Sequence, residues 1–128
     1  MTEIIKIDRK LKEKLADLAV SAYPCECCAA LFTKEGGSID DYCLLANMSA
    51  GPGRYSIDPA ELYECELAYR EKGYEIAGFF HSHPDAPAVM SKEDERNVIP
   101  SMLYLVASVS SESCRGMRLW RMDGVKEA

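Results

Sequence analysis

The sequence predicts an α+β fold with α/β-like parts: a mixed central β-sheet flanked by two or three helices. Three observations predict it. Two segments carry helix signals, an apolar stripe at helical spacing in the first and a capped start in both. Five or six shorter runs have the length and composition of strands. The two kinds alternate irregularly along 128 residues, as in layered mixed folds.

The elements follow in order. "IDRKLKEKLADLAVSAYP" reads as an amphipathic helix, with Asp8 as cap, Leu11, Leu15, Leu18 and Ala22 as the apolar stripe, and Pro24 as the stop. "CECCAALFTKEGG" reads as a strand entering a turn at Gly36 and Gly37, and "SIDDYCLLANM" as its hairpin partner. "SAGPGRY" is a loop. In "SIDPAELYECELAYREKG" Asp58 caps a second helix, Pro59 takes its first position and Gly73 ends it. "YEIAGFFHSH" is apolar enough for a central strand. Two prolines keep "PDAPAV" irregular, "SKEDERNV" is a short helix, and "SMLYLVASVS" and "GMRLWRM" are the last strands. No repeat interrupts the pattern, which fits one domain over residues 1–128, long enough for a real core.

Composition bounds the function. A net charge of −6 excludes a broad nucleic-acid-binding surface. No run approaches the ~20 apolar residues that span a bilayer. The start, "MTEIIKIDRKLKEK", lacks the order of a signal peptide. The expected location is therefore the cytoplasm, a reducing compartment. There the six cysteines, Cys25, Cys27, Cys28, Cys43, Cys65 and Cys114, are expected as free thiols. Cys25 and Cys28 have C-x-x-C spacing but no second pair, so they make a weak zinc signal.

The chain has only two histidines, His81 and His83, both at the end of the apolar strand. Residues i and i+2 of a strand share a face, so the two imidazoles project side by side and Ser82 points the other way. Two imidazoles on one face can hold one metal ion, and a carboxylate suits the third position. Asp85, Glu93, Asp94 and Glu95 are the candidates downstream. Asp85 is too close to fold back past Pro84. Ser91 and Asp94 stand three apart at a helix start and face one direction, which also reads as an ordinary cap. His-x-His by itself is a weak signal; the conjunction is stronger.

"HSHPDAPAVMSKED" has the order His-Ser-His-Pro, six residues, then Ser-x-x-Asp. It resembles the motif of the JAMM/MPN+ zinc metallopeptidases, a family that includes deubiquitinases. "YPCECC" supplies Pro24, Glu26 and Cys28 where that family has an upstream glutamate, with Ala29 at its usual glycine. The resemblance covers nearly the whole chain and is closest to small prokaryotic members, some of which process ubiquitin-like sulfur carriers. It implies a JAMM/MPN (cytidine-deaminase-like) architecture. It also implies one zinc ion per chain on His81, His83 and Asp94, Glu26 as general base, and Ser91 beside the oxyanion. Glu35, Glu61 and Glu64 compete with Glu26 on composition, so that choice rests on the resemblance.

The expected activity is hydrolysis after the Gly-Gly C-terminus of a ubiquitin-like or sulfur-carrier protein, the tail lying between "GPGRYSI" and "HSHPDAP". Two rivals are a metal-free scaffold of the same fold and a cysteine-dependent hydrolase or redox protein using Cys25, Cys27 or Cys28 with a histidine base. Oligomeric state is not legible.

Overall fold

A computed structural model describes residues 6–49, 55–121 and 126–127. The chain runs β1 (Lys6–Ile7), α1 (Arg9–Ala22), β2 (Cys28–Thr33), β3 (Ser38–Ile39), β4 (Asp41–Leu45), α2 (Pro59–Glu71), β5 (Glu75–Pro84), α3 (Lys92–Arg96), β6 (Leu103–Val109), β7 (Cys114–Arg121) and β8 (Lys126–Glu127). Six strands form one sheet in the order β4-β2-β5-β6-β7-β8. The β5–β6 pair is parallel and its other neighbours are antiparallel, so the sheet is mixed, as expected.

Local sequence accounts for the helices. The Asp8 carboxylate accepts from Leu11 N at the start of α1, and the Asp58 carboxylate accepts from Ala60 N at the start of α2, where Pro59 follows the cap. Gly73, just past α2, has φ +90°, a backbone that favours glycine. Glycine is required at 78 for another reason. A Cβ there would strike the Leu103 backbone on the parallel neighbour β6.

The sheet is covered on both sides, which explains why all six residues of β2 are buried. On one face Leu11, Leu15 and Ala19 of α1 pack on Ala29, Leu31, Phe80 and Leu105. On the other, Cys28, Ala30 and Phe32 lie in a cluster with Cys65 of α2. Phe79, Tyr104 and Val106 lie on that second side with Ala88 and Met90 of the loop before α3. Alternation along β5 therefore sends Phe80 and Ser82 towards α1, and Phe79, His81 and His83 towards α2 and α3.

Two expectations need correction. The stretch from Ser38 to Met48 is not one hairpin strand. Asp40 donates its backbone N–H to Phe32 O between two short strands, of which β3 pairs in parallel with β1 and only β4 pairs with β2. The free-thiol expectation fails for one pair: Cys43 of β4 and Cys65 of α2 join in a disulfide, their Cα atoms 6.7 Å apart. Both face the same side of the sheet, where α2 packs on β4. Cys25, Cys27, Cys28 and Cys114 are free. Of the loop expected over Ser49–Tyr55, residues 50–54 lie outside the described residues.

Candidate active site

The end of β5 and the start of α3 meet on the α2 side of the sheet. His81 Nε2 lies 3.1 Å from His83 Nε2, and the two lie 3.1 and 3.0 Å from Asp94 Oδ2. All three side chains are buried. Asp94 reaches them because Ser91 caps α3. Ser91 Oγ accepts from Asp94 N at 3.0 Å, while Ser91 N donates to Asp94 Oδ2 at 2.9 Å. The cap geometry and the site geometry are thus one arrangement, and the two readings of Ser91 and Asp94 do not compete. Glu93 and Glu95 flank Asp94 in α3 but are exposed. Asp85 accepts a hydrogen bond from Tyr23 on the far side of the loop.

Glu26 completes the cluster. Its carboxylate and the two imidazoles offer ligand atoms within 4.8 Å of one another. Glu26 sits two residues before β2 rather than on it, yet it keeps the alternation expected of a strand, with Cys28 on the site face and Cys27 on the α1 face. Three ties hold this segment. Asn47 Nδ2 donates to Glu26 O at 3.0 Å, Cys27 N donates to Ser82 Oγ at 2.8 Å, and Ser82 N donates to Cys27 O at 3.0 Å. Ser82, between the two histidines, therefore fixes the glutamate segment to the histidine strand. Ser82→Ala strands the buried Cys27 N–H. It should destabilise the protein by about 1–3 kcal/mol, read as a lowered unfolding midpoint in urea.

Electrostatics separate the groups. Burial would raise Asp94, but the hydrogen bonds from His81, His83 and Ser91 N hold its carboxyl well below the usual range. Burial pushes His81 down, which favours neutral imidazole, the metal-binding form. Burial opposes charge on His83 too, but Asp94, Pro87 O and Glu26 outweigh it and the net direction is up. Burial pushes Glu26 up to about 7 despite His83 beside it, and its Oε1 has no hydrogen-bond partner among the described residues.

The donor set fits a tetrahedral ion. Ligands at ~2.0–2.1 Å around tetrahedral zinc stand about 3.3 Å apart, close to the 3.0–3.1 Å between the three donor atoms. His83 Nδ1 faces Pro87 O at 3.0 Å, the kind of outer contact that orients a ligating imidazole.

Two of the three thiols of the cysteine rival are unsuited to it; Cys25, the third, is exposed. Burial pushes the Cys27 thiol up to about 11 and the Cys28 thiol up to about 12, so neither is a thiolate near neutral pH. The Cys28 thiol also donates to Leu45 O.

Beside Asp94 opens a cavity of about 520 Å³, lined in part by Tyr55, Ile57, Leu62, Phe79 and Tyr104. Tyr55, which sequence reasoning placed only in a loop, stacks on His81 with ring centroids 4.6 Å apart. No local pattern marks it, because the contact joins segments that are distant in sequence. Of the "GPGRYSI" segment, Tyr55, Ser56 and Ile57 line this cavity, and residues 51–54 lie outside the described residues; its other side is formed by Glu93, Asp94 and Asn97 of the α3 region, and no residue of "HSHPDAP" lines it.

Comparison with known proteins agrees with this architecture. Residues 8–123 match the family described as prokaryotic homologs of the JAB domain. The chain belongs to this family. It is similar to the desampylase of Haloferax volcanii, 36% identical over 66 residues, which are 50% of this chain and 48% of that protein. The match thus spans about half the length of this relative. Among solved structures, a Desulfitobacterium hafniense protein superposes with a TM-score of 0.80 at 32% identity, over 98% of this chain and 90% of the other. A JAB1/MPN domain protein from Archaeoglobus fulgidus gives 0.65 at 20% identity, over 97% and 94%. A structure described as a metalloprotease-like zinc site in the proteasome and signalosome gives 0.63 at 19% identity, over 98% and 93%. The last two establish likeness of fold, the JAB/MPN fold expected from the sequence. No helix among the described residues is long and apolar enough to cross a membrane.

Proposed function

We propose that this JAB-family protein is a zinc-dependent peptidase or isopeptidase acting after the Gly-Gly tail of a ubiquitin-like or sulfur-carrier protein. The observation that carries the reading is the convergence of His81 Nε2, His83 Nε2 and Asp94 Oδ2, with the buried Glu26 carboxylate beside them. The similarity to a desampylase supports a ubiquitin-like protein as the class of substrate.

In this reading His81, His83 and Asp94 hold the metal. Zinc there would lower the pKa of a bound water towards ~7 and polarise the scissile carbonyl. Glu26 takes a proton from the attacking water at its free Oε1 and returns it to the leaving amine. Ser91 uses its oxygen as an acceptor for Asp94 N, which leaves its hydroxyl proton to donate to the developing oxyanion. Water is the nucleophile, so no acyl-enzyme forms. The cavity beside Asp94 accommodates part of the extended tail. Glycines suit the last tail positions because they pass close to the metal ligands without side chains.

The test uses protein purified without added metal. About one equivalent of zinc per chain by elemental analysis is expected, together with chelator-sensitive cleavage of a ubiquitin-like protein extended beyond its Gly-Gly tail. An alkylating agent should leave the rate unchanged. Less than a tenth of an equivalent of any transition metal, unchanged by zinc reconstitution, contradicts the reading.

A further inference from the structure

The two histidines are oriented by different means. His83 has a backbone acceptor, Pro87 O, for its outer nitrogen. The outer nitrogen of His81, Nδ1, is buried without a hydrogen-bond partner among the described residues. Coordination through Nε2 leaves the proton on Nδ1, where a ligating imidazole ordinarily finds an acceptor. The strand neighbours of His81 do not supply one. They are Cys28 on β2, whose thiol is directed to Leu45 O, and Val106 on β6.

The contact that His81 does have is a ring. Tyr55 stacks on it with centroids 4.6 Å apart and planes 21° from parallel. Tyr55 comes from the segment before α2, not from the sheet, and it lines the cavity beside Asp94. A stacked ring fixes the plane of an imidazole as a hydrogen bond fixes its in-plane rotation. It also favours the liganded state. Donation to a cation leaves the imidazole electron-poor, and an electron-rich phenol face attracts an electron-poor ring.

We infer that Tyr55 is a positioning residue for His81, its ring fixing the imidazole where no outer hydrogen bond is present among the described residues, and thereby raising affinity for the metal. This rests on the zinc-site reading above, because it takes His81 as a ligand.

The test measures zinc affinity of the full chain by competition with a chromophoric chelator, independent of turnover. Tyr55→Leu removes the ring. Tyr55→Met also removes it but fills more of its volume. Tyr55→Phe keeps the ring and deletes only the hydroxyl. Thermal melts of the metal-free variants identify those that fold. Loss of an outer contact to a metal ligand typically costs 10–100-fold in affinity. Each folded non-aromatic variant should therefore bind zinc at least about 10-fold more weakly, and Tyr55→Phe should stay near the wild type. A folded Leu or Met variant that binds like the wild type overturns the inference. So does a Phe variant as weak as they are, since the hydroxyl would then carry the effect. The two failures are separable. A wild type without zinc affinity, or a His83→Ala variant with full affinity, sinks the zinc site itself. Zinc bound by the wild type, lost in His83→Ala and unchanged in the non-aromatic Tyr55 variants sinks only the role of Tyr55.

Discussion

His83→Ala is expected to purify with less than a tenth of an equivalent of zinc and with no measurable turnover. The imidazole is one of three donors that meet within 3.1 Å, and the chain's other imidazole, His81, is already one of them. Glu26 is within 4.8 Å of the histidine donors, but it offers a carboxylate in place of the lost imidazole. Elemental analysis after purification, with a thermal melt of the metal-free protein as the folding control, checks the result. A folded variant that retains zinc and activity contradicts the ligand assignment.

What the sequence made legible was local. The stripe of Leu11 and Leu15 with its Asp8 cap marked α1, and Asp58-Pro59 marked α2. The parity of His81 and His83 put both imidazoles on one face, with Ser82 behind them, and β5 does so. Ser91 and Asp94 were legible as a cap, and that cap delivers the carboxylate. What stayed hidden depends on pairing between distant segments. Nothing local divides Ser38–Leu45 into two strands, because the division is set by β1 on one side and β2 on the other. The Cys43–Cys65 pair follows from how α2 lies over β4, which composition cannot supply. In the sequence only the resemblance points to Glu26, and the physical signs that favour it, burial beside His83 and an Oε1 without a partner among the described residues, exist only in three dimensions. Tyr55 had no sequence signal at all.

Glu26→Gln separates holding the metal from moving the proton. The substitution keeps the size of the side chain and removes the carboxylate proposed as base. Zinc content should stay near wild type, because His81, His83 and Asp94 remain, while turnover falls at least about 100-fold, the lower end of what general acid–base help supplies. The pH profile gives an independent reading. Burial lifts Glu26 to about 7 in the metal-free protein, and a bound cation pulls it back down. In the proposed mechanism the base form is the working one, so the wild-type rate should fall as pH drops through an inflection below about 7. That acid limb should vanish from the residual rate of the Gln variant. The same raised pKa has a stability consequence with a definite sign. The folded protein binds this proton more tightly than the unfolded chain, whose Glu titrates near 4.5. Its contribution to metal-free stability is full below 4.5 and is lost as pH rises through about 7. Metal-free Glu26→Gln cannot lose it, so above pH ~7 the variant should melt at or above the wild type. A Gln variant with near-wild-type turnover, set beside an inactive Glu35→Gln, moves the base to Glu35. A Gln variant that has lost its zinc makes Glu26 a ligand rather than a base.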